Sequence, residues 1–249
     1  MRIPSLVMSG AMSGLLALSA TFMQPAQAAP TAAQVQQIRD NSYRVVTQSF
    51  MFVILEKAKE RQADVRSRVQ TLDTQVAALG DADASRLWKA VRQSAMTDLY
   101  LKGDVDQLKI YGLEDSATEF VRDLDRLMPR DIPREQKALY DLAQRMQVMM
   151  TIYLRNNADP LGGSNYSGVN REIAVENLPD EFDAALKAAL KSSPKLAPAI
   201  AKIRPKWVFL APRLRDFNQK SVPYLVDMYG RQIIDNLLAS AAEIGAPKP

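Results

Sequence analysis

Residues 206–238 read KWVFLAPRLRDFNQKSVPYLVDMYGRQIIDNLL. This stretch joins a tryptophan and a run of cations to a proline, Pro223, which suits the first turn of a helix. Beyond the proline, apolar residues recur every three or four positions, at Val222, Val226, Tyr229, Ile233, Leu237, Ala241 and Ile244. That spacing places one apolar face along a helix that ends near Ile244.

The same rhythm extends over the first part of the chain. From Ala32 to Leu79 there is no glycine or proline, and the stripe consists of Leu55, Ala58, Gln62, Val65, Val69, Leu72, Val76 and Leu79. We therefore predict one coiled-coil or bundle helix about 70 Å long, at ~1.5 Å per residue, ended by Gly80.

Four more segments follow before the last helix. Helices are predicted at 85–102, at 104–128, from Pro133 to about residue 155 and from Asn177 onward, while residues 156–172 form an irregular loop rich in glycine and asparagine. Four prolines, at 194, 198, 205 and 212, are expected to divide the next stretch into short helical pieces. No strand-like alternation appears, so the chain is predicted to be all-α, an elongated antiparallel helical bundle.

An internal duplication is suggested by matching landmarks. Trp88 with Tyr111-Gly112 in the first half is spaced like Trp207 with Tyr229-Gly230 in the second. We expect residues 29–130 and 131–249 to form two related helical units. The alternative is chance similarity among bundle helices.

The N-terminus has the pattern of a secretory signal peptide. Arg2 is followed by a mostly small and apolar segment and by Ala26-Gln27-Ala28, a small-x-small cleavage site. We expect residues 1–28 to be removed, with Ala29 as the mature start and a periplasmic or secreted location. The competing interpretation, an uncleaved anchor, requires about 20 apolar residues. We predict no membrane span after cleavage, and nucleic acid is not an expected partner of an exported protein.

The chain has no cysteine and no histidine. Zinc, copper and haem sites, Ser-His-Asp and Cys-His catalysis and histidine switches normally need these residues. Paired carboxylates such as Glu114-Asp115 and Asp180-Glu181 fall at predicted helix starts, where acids suit the helix dipole. We therefore predict no catalytic residues, no metal and no cofactor.

Charge is unevenly spread around a net +4. Residues 104–128 are acidic and residues 194–220 are basic, so these faces either complement each other within the bundle or one of them binds an anionic partner. The densest aromatic-cationic patch contains the candidate binding residues Arg204, Lys206, Trp207, Arg213 and Arg215. The alternative is that the cations stack on aromatic rings within the protein.

Three further candidates lie outside that patch. Asn165 and Tyr166 in the irregular loop offer adaptable polar contacts, or the loop is only a connector. Arg145, like Arg39, Arg44 and Arg92, lies in a helix that has an apolar face. A pair of such arginines could bind an anion across a helix–helix interface. The alternative for these arginines is ordinary ion pairing with acids on neighbouring helices.

Two helical repeats after a signal peptide, the Ala143-Gln-Arg-Met146 turn followed by Tyr153-Leu154, and the tryptophan followed by Val-Pro-Tyr-Leu-Val resemble the helical sensor domains at the N-terminus of type IV pilus methyl-accepting chemotaxis transducers. The resemblance implies an all-α periplasmic sensor. A second Gln-Arg pair typical of the family does not occur in this sequence. We predict a non-enzymatic binding or protein-interaction module whose partner is a periplasmic protein or a small anionic ligand. The alternatives are a small-anion sensor working with a membrane partner, or a cell-wall-active enzyme.

Overall fold

The computed structural model describes residues 29–56, 59–96, 107–159, 177–216 and 220–246. Those residues contain helices and turns but no strand, which confirms the all-α prediction. The α-helices are α1 Ala32–Ile54, α2 Lys59–Leu79, α3 Ala82–Met96, α4 Gln107–Leu124, α5 Arg134–Ala158, α6 Leu178–Ser192, α7 Ala197–Arg215 and α8 Pro223–Gly245. Short 3-10 turns span Asp125–Leu127 and Pro194–Leu196.

Helices α1 and α5 lie at the centre of the molecule, packed against each other. α1 also contacts α2 and α4, α5 also contacts α8 and α6, and two outer pairs form between α3 and α4 and between α7 and α8. Most positions of α1 and α5 are buried on every side. Buried residues of all eight helices belong to one hydrophobic core.

The continuous helix predicted from Ala32 to Leu79 is wrong. The chain leaves the helical conformation at Leu55 and Glu56, and Glu56 has a left-handed φ of 51°. α2 then packs against α1 and buries Val65, Val69 and Leu72. A left-handed non-glycine residue costs about 1–2 kcal/mol, which burial of one apolar side chain offsets.

The prediction that the chain after Pro194 divides into short helical pieces is also wrong, except for the first turn. α7 is one helix that contains both Pro205 and Pro212. Both prolines are exposed, as are Ala201 and Val208, the residues four positions earlier whose carbonyls lose their helical partner. Water can solvate those carbonyls on the outer face, so the helix continues while its opposite face stays packed.

The other helix predictions are largely confirmed. Gly80, with a φ of 63°, ends α2. α4 continues through Gly112, α5 begins directly after Pro133 and α8 ends at Gly245. α5 extends three residues into the predicted loop, to Ala158, and residues 160–176 lie outside the described part of the chain.

The two tryptophans make matching hydrogen bonds. Trp88 Nε1 donates to Asp73 Oδ1 at 2.8 Å, and Trp207 Nε1 donates to Asp183 Oδ1 at 2.7 Å. In each case the aspartate lies on the preceding helix. These bonds agree with an internal duplication. Both the duplication and the division into two units between residues 130 and 131 stay predictions.

Candidate functional site

Trp207, the centre of the predicted basic patch, is part of the core. Its side chain is buried, and its ring centroid lies 4.6 Å from that of Phe182 on α6. The hydrogen bond to Asp183 satisfies its indole N–H, as buried tryptophans require. Trp207 therefore joins α6 to α7 and presents little surface to a partner.

Arg213 and Arg215 also make contacts within the protein. Arg215 donates to Asp180 at 2.6 Å and to Asp183 at 2.9 Å. These hydrogen bonds, led by the one to Asp180, raise the pKa of Arg215 above its usual value. The Arg213 guanidinium lies 3.6 Å from the centre of the Phe209 ring. For Arg213, this is the stacking of a cation on an aromatic face inside the protein.

Arg204 and Lys206 are the cations of the patch that face outward. Within the described ranges neither makes an ion pair, and Arg204 is exposed while Lys206 is half-buried. Arg204 and Lys187 border a groove of about 190 Å³ between α6 and α7, whose apolar lining includes Val208. Val208 is 63 % exposed, so cations and apolar surface adjoin here.

Arg145 lies on the exposed side of α5 and borders a second cavity, of about 310 Å³. The lining combines polar Asp141, Gln144, Arg145 and Glu181 with apolar Val148, Met149, Leu178 and Phe182. No ion pair to Arg145 is present among the described residues. Asn165 and Tyr166, the two predicted loop residues, lie outside them.

Arg39 is the most deeply buried arginine of the predicted clamp, at 3 % exposure on α1. Its Nη1 donates to Gln36 Oε1 at 3.2 Å and to Gln144 Oε1 at 3.4 Å, and its Nη2 donates to Asp125. Asp125 lies in the 3-10 turn after α4, and its side chain is 57 % exposed. The buried Arg39 side chain therefore links α1 to α5 and to the chain segment between α4 and α5.

Arg39 forms part of the wall of a third cavity, also of about 310 Å³, which we call the Arg39 cavity. Its lining residues are Arg39, Asp125, Met128, Pro129, Arg130, Ile132, Lys137, Tyr140, Asp141 and Gln144. Asp141 accepts a hydrogen bond from Lys137 at 2.8 Å. Asp141 and Gln144 border the Arg145 cavity as well, so the two cavities adjoin along one face of α5.

Two buried donors, one on Arg39 and one on its neighbour Gln36, lack acceptors. Arg39 Nε and Gln36 Nε2 have no hydrogen-bond partner among the described residues, although each residue is almost fully buried. An unmet buried donor costs about 1–3 kcal/mol. The immediate surroundings of Arg39 are therefore short of hydrogen-bond acceptors.

In two other buried polar clusters, by contrast, each arginine is paired with a carboxylate. At the junction of α1, α5 and α8, Gln147 donates to Asp40 at 2.7 Å and Arg231 donates to Asp227 at 2.7 Å. Burial, together with the charge of nearby Arg44, lowers the pKa of Arg231. Arg44 itself is paired with Asp40. Such pairing suits a structural role, because each buried arginine has its counter-ion.

The second of these clusters joins α4 to α5. Arg155 Nη1 donates to Glu114 Oε2 at 2.9 Å, and both side chains are almost fully buried. The Arg155 guanidinium also lies 5.1 Å from the centre of the Tyr111 ring, whose hydroxyl donates to Asp159 at 3.0 Å. This ion pair is shielded from water and holds the two helices in register.

The described residues give no sign of a metal centre or a membrane span. No group of three or more carboxylates could hold a metal ion there. No helix in those ranges is long and apolar enough to cross a bilayer. Asp81 accepts a hydrogen bond from the Ala84 N–H at 2.8 Å, in the first turn of α3.

We compared the chain with protein-family models, curated proteins and solved structures, and none of the three comparisons found a match. The case for function therefore depends on the site itself.

The arginines of α1 and α5 were predicted as candidates, but the residues around them were not. Asp125, Arg130, Lys137, Tyr140 and Gln144 border the Arg39 cavity and were not predicted. A proline-bordered, cation-rich connection between two helices, at residues 126–137, was the available signal.

Proposed function

We propose that this protein is a non-enzymatic binding module that takes a small anionic ligand in the Arg39 cavity. The observation that carries the proposal is a buried guanidinium in the wall of a cavity of about 310 Å³. Arg130 and Lys137 add two cations to the same wall. An arginine fork is the side chain best suited to hold a carboxylate or a similar planar anion.

The size and composition of the cavity support a small ligand. Cavities of roughly 300–1,000 Å³ with mostly apolar walls and a few polar groups are typical small-molecule sites. Met128, Pro129 and Ile132 supply the apolar wall, and Arg39 with Gln144 supplies the polar end. An anion there would also bring acceptors to a region where two buried donors have none.

The pairing of the carboxylates at this cavity argues for binding rather than catalysis. A glycosidase needs one protonated carboxyl and one ionised carboxylate across its substrate. The two carboxylates at this cavity, Asp125 and Asp141, each lie in an ion pair with a cation. Both carboxylates are therefore engaged by cations of the protein itself.

The first test measures the thermal stability of the full mature chain with acetate, benzoate, nitrate and phosphate, at constant ionic strength against chloride. A ligand at ten times its Kd stabilises the folded state by about 1.4 kcal/mol. For a domain of this size that corresponds to a rise in Tm of about 3–6 °C. No rise with any of these anions would refute the proposal.

Two variants connect the binding to the cavity. Arg130→Ala removes an exposed cation of the wall, and the expected result is a smaller rise in Tm with the same anion. Arg92→Ala is the matched control, because Arg92 is also exposed but pairs with Asp73 on α2, away from the cavity. Equal losses in both variants would indicate a general charge effect.

Export and a signalling partner complete the proposal. The signal-peptide pattern of residues 1–28 supports a periplasmic location, and the resemblance to pilus transducer sensors supports work with a membrane partner. N-terminal sequencing of the protein from a periplasmic fraction should begin at Ala29. A chain that retains Met1 in the cytoplasmic fraction would contradict export.

A second candidate function, docking of a protein, is favoured by the outward face of α7. Arg204, Lys206 and Val208 combine unpaired cations with an exposed apolar side chain. Arg204→Glu with Lys206→Glu should abolish capture of a periplasmic partner while leaving the fold intact. Arg213→Glu with Arg215→Glu is a poorer test, because Arg215 holds Asp180 and Asp183 on α6.

A further inference from the structure

Asp125 is paired with the Arg39 guanidinium, the group that would bind an anion in the Arg39 cavity. Its carboxylate accepts from Arg39 Nη2, one of the two terminal nitrogens through which an external anion would bind. The two partners differ sharply in burial, since the Arg39 side chain is 4 % exposed and the Asp125 side chain is 57 % exposed. One partner is fixed inside the protein and the other is at the surface, where it can move into water.

We propose that the ligand of this cavity is a small carboxylate with an apolar body, and that it displaces Asp125 from Arg39. The inference depends on the proposed anion-binding function and adds to it the ligand class and an internal competitor. A carboxylate already forms the ion pair, so the geometry around Nη2 is suited to that group. The apolar body would lie against Met128, Pro129 and Ile132.

The exchange is favourable because of what each partner gives up. Leaving Arg39 without any counter-ion would strand a buried charge, which is strongly unfavourable. Replacement of one carboxylate by another keeps the charge paired. Asp125 regains hydration on release, and its ion pair, with one half-exposed partner, is a weak one. The ligand also buries apolar surface that Asp125 does not have.

The displacement has a consequence for the connection between α4 and α5. Asp125 belongs to the 3-10 turn Asp125–Leu127, and the chain from there to Ile132 supplies four more residues to the wall of the cavity. Release of Asp125 removes the contact that holds this turn to α1. Ligand binding therefore loosens the turn at residues 125–127.

The test titrates benzoate, acetate and nitrate into the full mature chain and into two variants, using calorimetry at constant ionic strength. Asp125→Asn removes the competing charge, and we expect benzoate to bind about fivefold more tightly, the equilibrium constant expected of such a weak ion pair. Asp131→Asn makes the same charge change at an exposed neighbouring position that does not border the cavity, and its Kd should equal that of the wild type.

The outcomes separate this inference from the function on which it depends. Equal benzoate Kd values in wild type and Asp125→Asn would refute the competitor and leave anion binding intact. Nitrate binding as tightly as benzoate would refute the carboxylate class. No binding of any probe to either protein would refute both proposals together.

A measurement on the wild type covers the case in which Asp125→Asn does not fold. Hydrogen exchange of the backbone amides of residues 125–127 is compared with and without saturating benzoate. Release of Asp125 predicts faster exchange there, while amides within α1 and α5 exchange more slowly. Slower exchange at the turn would show that Asp125 stays in place and would overturn the proposal.

Discussion

Gly112 and Gly230 are a natural pair for testing how tightly the two halves are packed. Each follows a tyrosine inside a helix, in α4 and in α8. A Cβ added to Gly112 would meet no atom within 4 Å. A Cβ added to Gly230 would lie 2.3 Å from the sulfur of Met150 and 2.8 Å from its Cγ.

These distances predict opposite signs for the same substitution. Alanine in place of a helical glycine stabilises by about 1 kcal/mol, because glycine loses more backbone entropy on folding. Gly112→Ala should show that gain and raise Tm by about 2–4 °C. Gly230→Ala must also displace buried Met150, and overpacking costs about 1–3 kcal/mol. We expect a net loss of about 1 kcal/mol in Gly230→Ala.

Urea denaturation followed by circular dichroism measures both variants, with the m value as a check that the unfolding transition is unchanged. A control isolates the close approach. In a Met150→Ala background the sulfur and Cγ are gone, so Gly230→Ala should become stabilising. If Gly230→Ala stabilises the wild type, or still destabilises the Met150→Ala background by the same amount, the proposed contact is not the cause.

Three other predictions concern ionisable groups. Hydrogen bonds from Arg126, with a smaller contribution from the Ala84 N–H, lower the pKa of Asp81 to about 2. The stability that this ionised carboxylate contributes is complete above pH ~4 and is lost as the pH falls toward 2. Asp81→Asn should therefore flatten the acid-unfolding curve in that window. An unchanged curve would contradict this. Glu114→Gln leaves Arg155 as an uncompensated buried charge and should lower the free energy of unfolding, measured by urea denaturation, by about 3–5 kcal/mol. The double variant Glu114→Gln with Arg155→Met should lose less. Equal losses would rule out a strong ion pair. Burial raises the pKa of Tyr43 to about 12, so the stability from its neutral form is present below pH ~10 and is lost as the pH rises toward 12. In an ultraviolet phenolate titration Tyr43→Phe should lack one of the phenols that ionise near pH 12, of which Tyr111 is another. Full ionisation near pH 10 in the folded wild type would refute the shift.

Local periodicity was enough to predict most of the helices but not every position at which the chain turns. The stripes of α5 and α8 follow directly from three- and four-residue spacing, and Leu139, Met146 and Ile233 are buried as that spacing requires. The break at Glu56 carries no glycine or proline, so no local signal marked it. It forms because α2 gains contacts with α1, which is a long-range effect.

The candidate site shows the same limit for charge. Surface charge is visible in a sequence, so the basic stretch at 194–220 stood out. Buried charge is not visible, because Arg39 differs from an exposed arginine only through contacts with Asp125 and Gln144, which lie 86 and 105 positions along the chain. Of the predicted site residues, Arg213 and Arg215 make internal contacts that a list of cations cannot reveal.

The position of the Arg39 cavity allows binding there to act on the rest of the molecule, which is not true of the face of α7. Arg39, Asp125 and Met128 come from the first predicted unit, and Tyr140 and Gln144 come from the second. A ligand there contacts both units, so its binding free energy favours whichever packing of α1, α5 and the α4–α5 connection holds it best. The α6–α7 groove lies within one unit, and a partner bound there contacts neither central helix. If a signal passes through this protein, the Arg39 cavity is therefore where a small ligand has the contacts to start it.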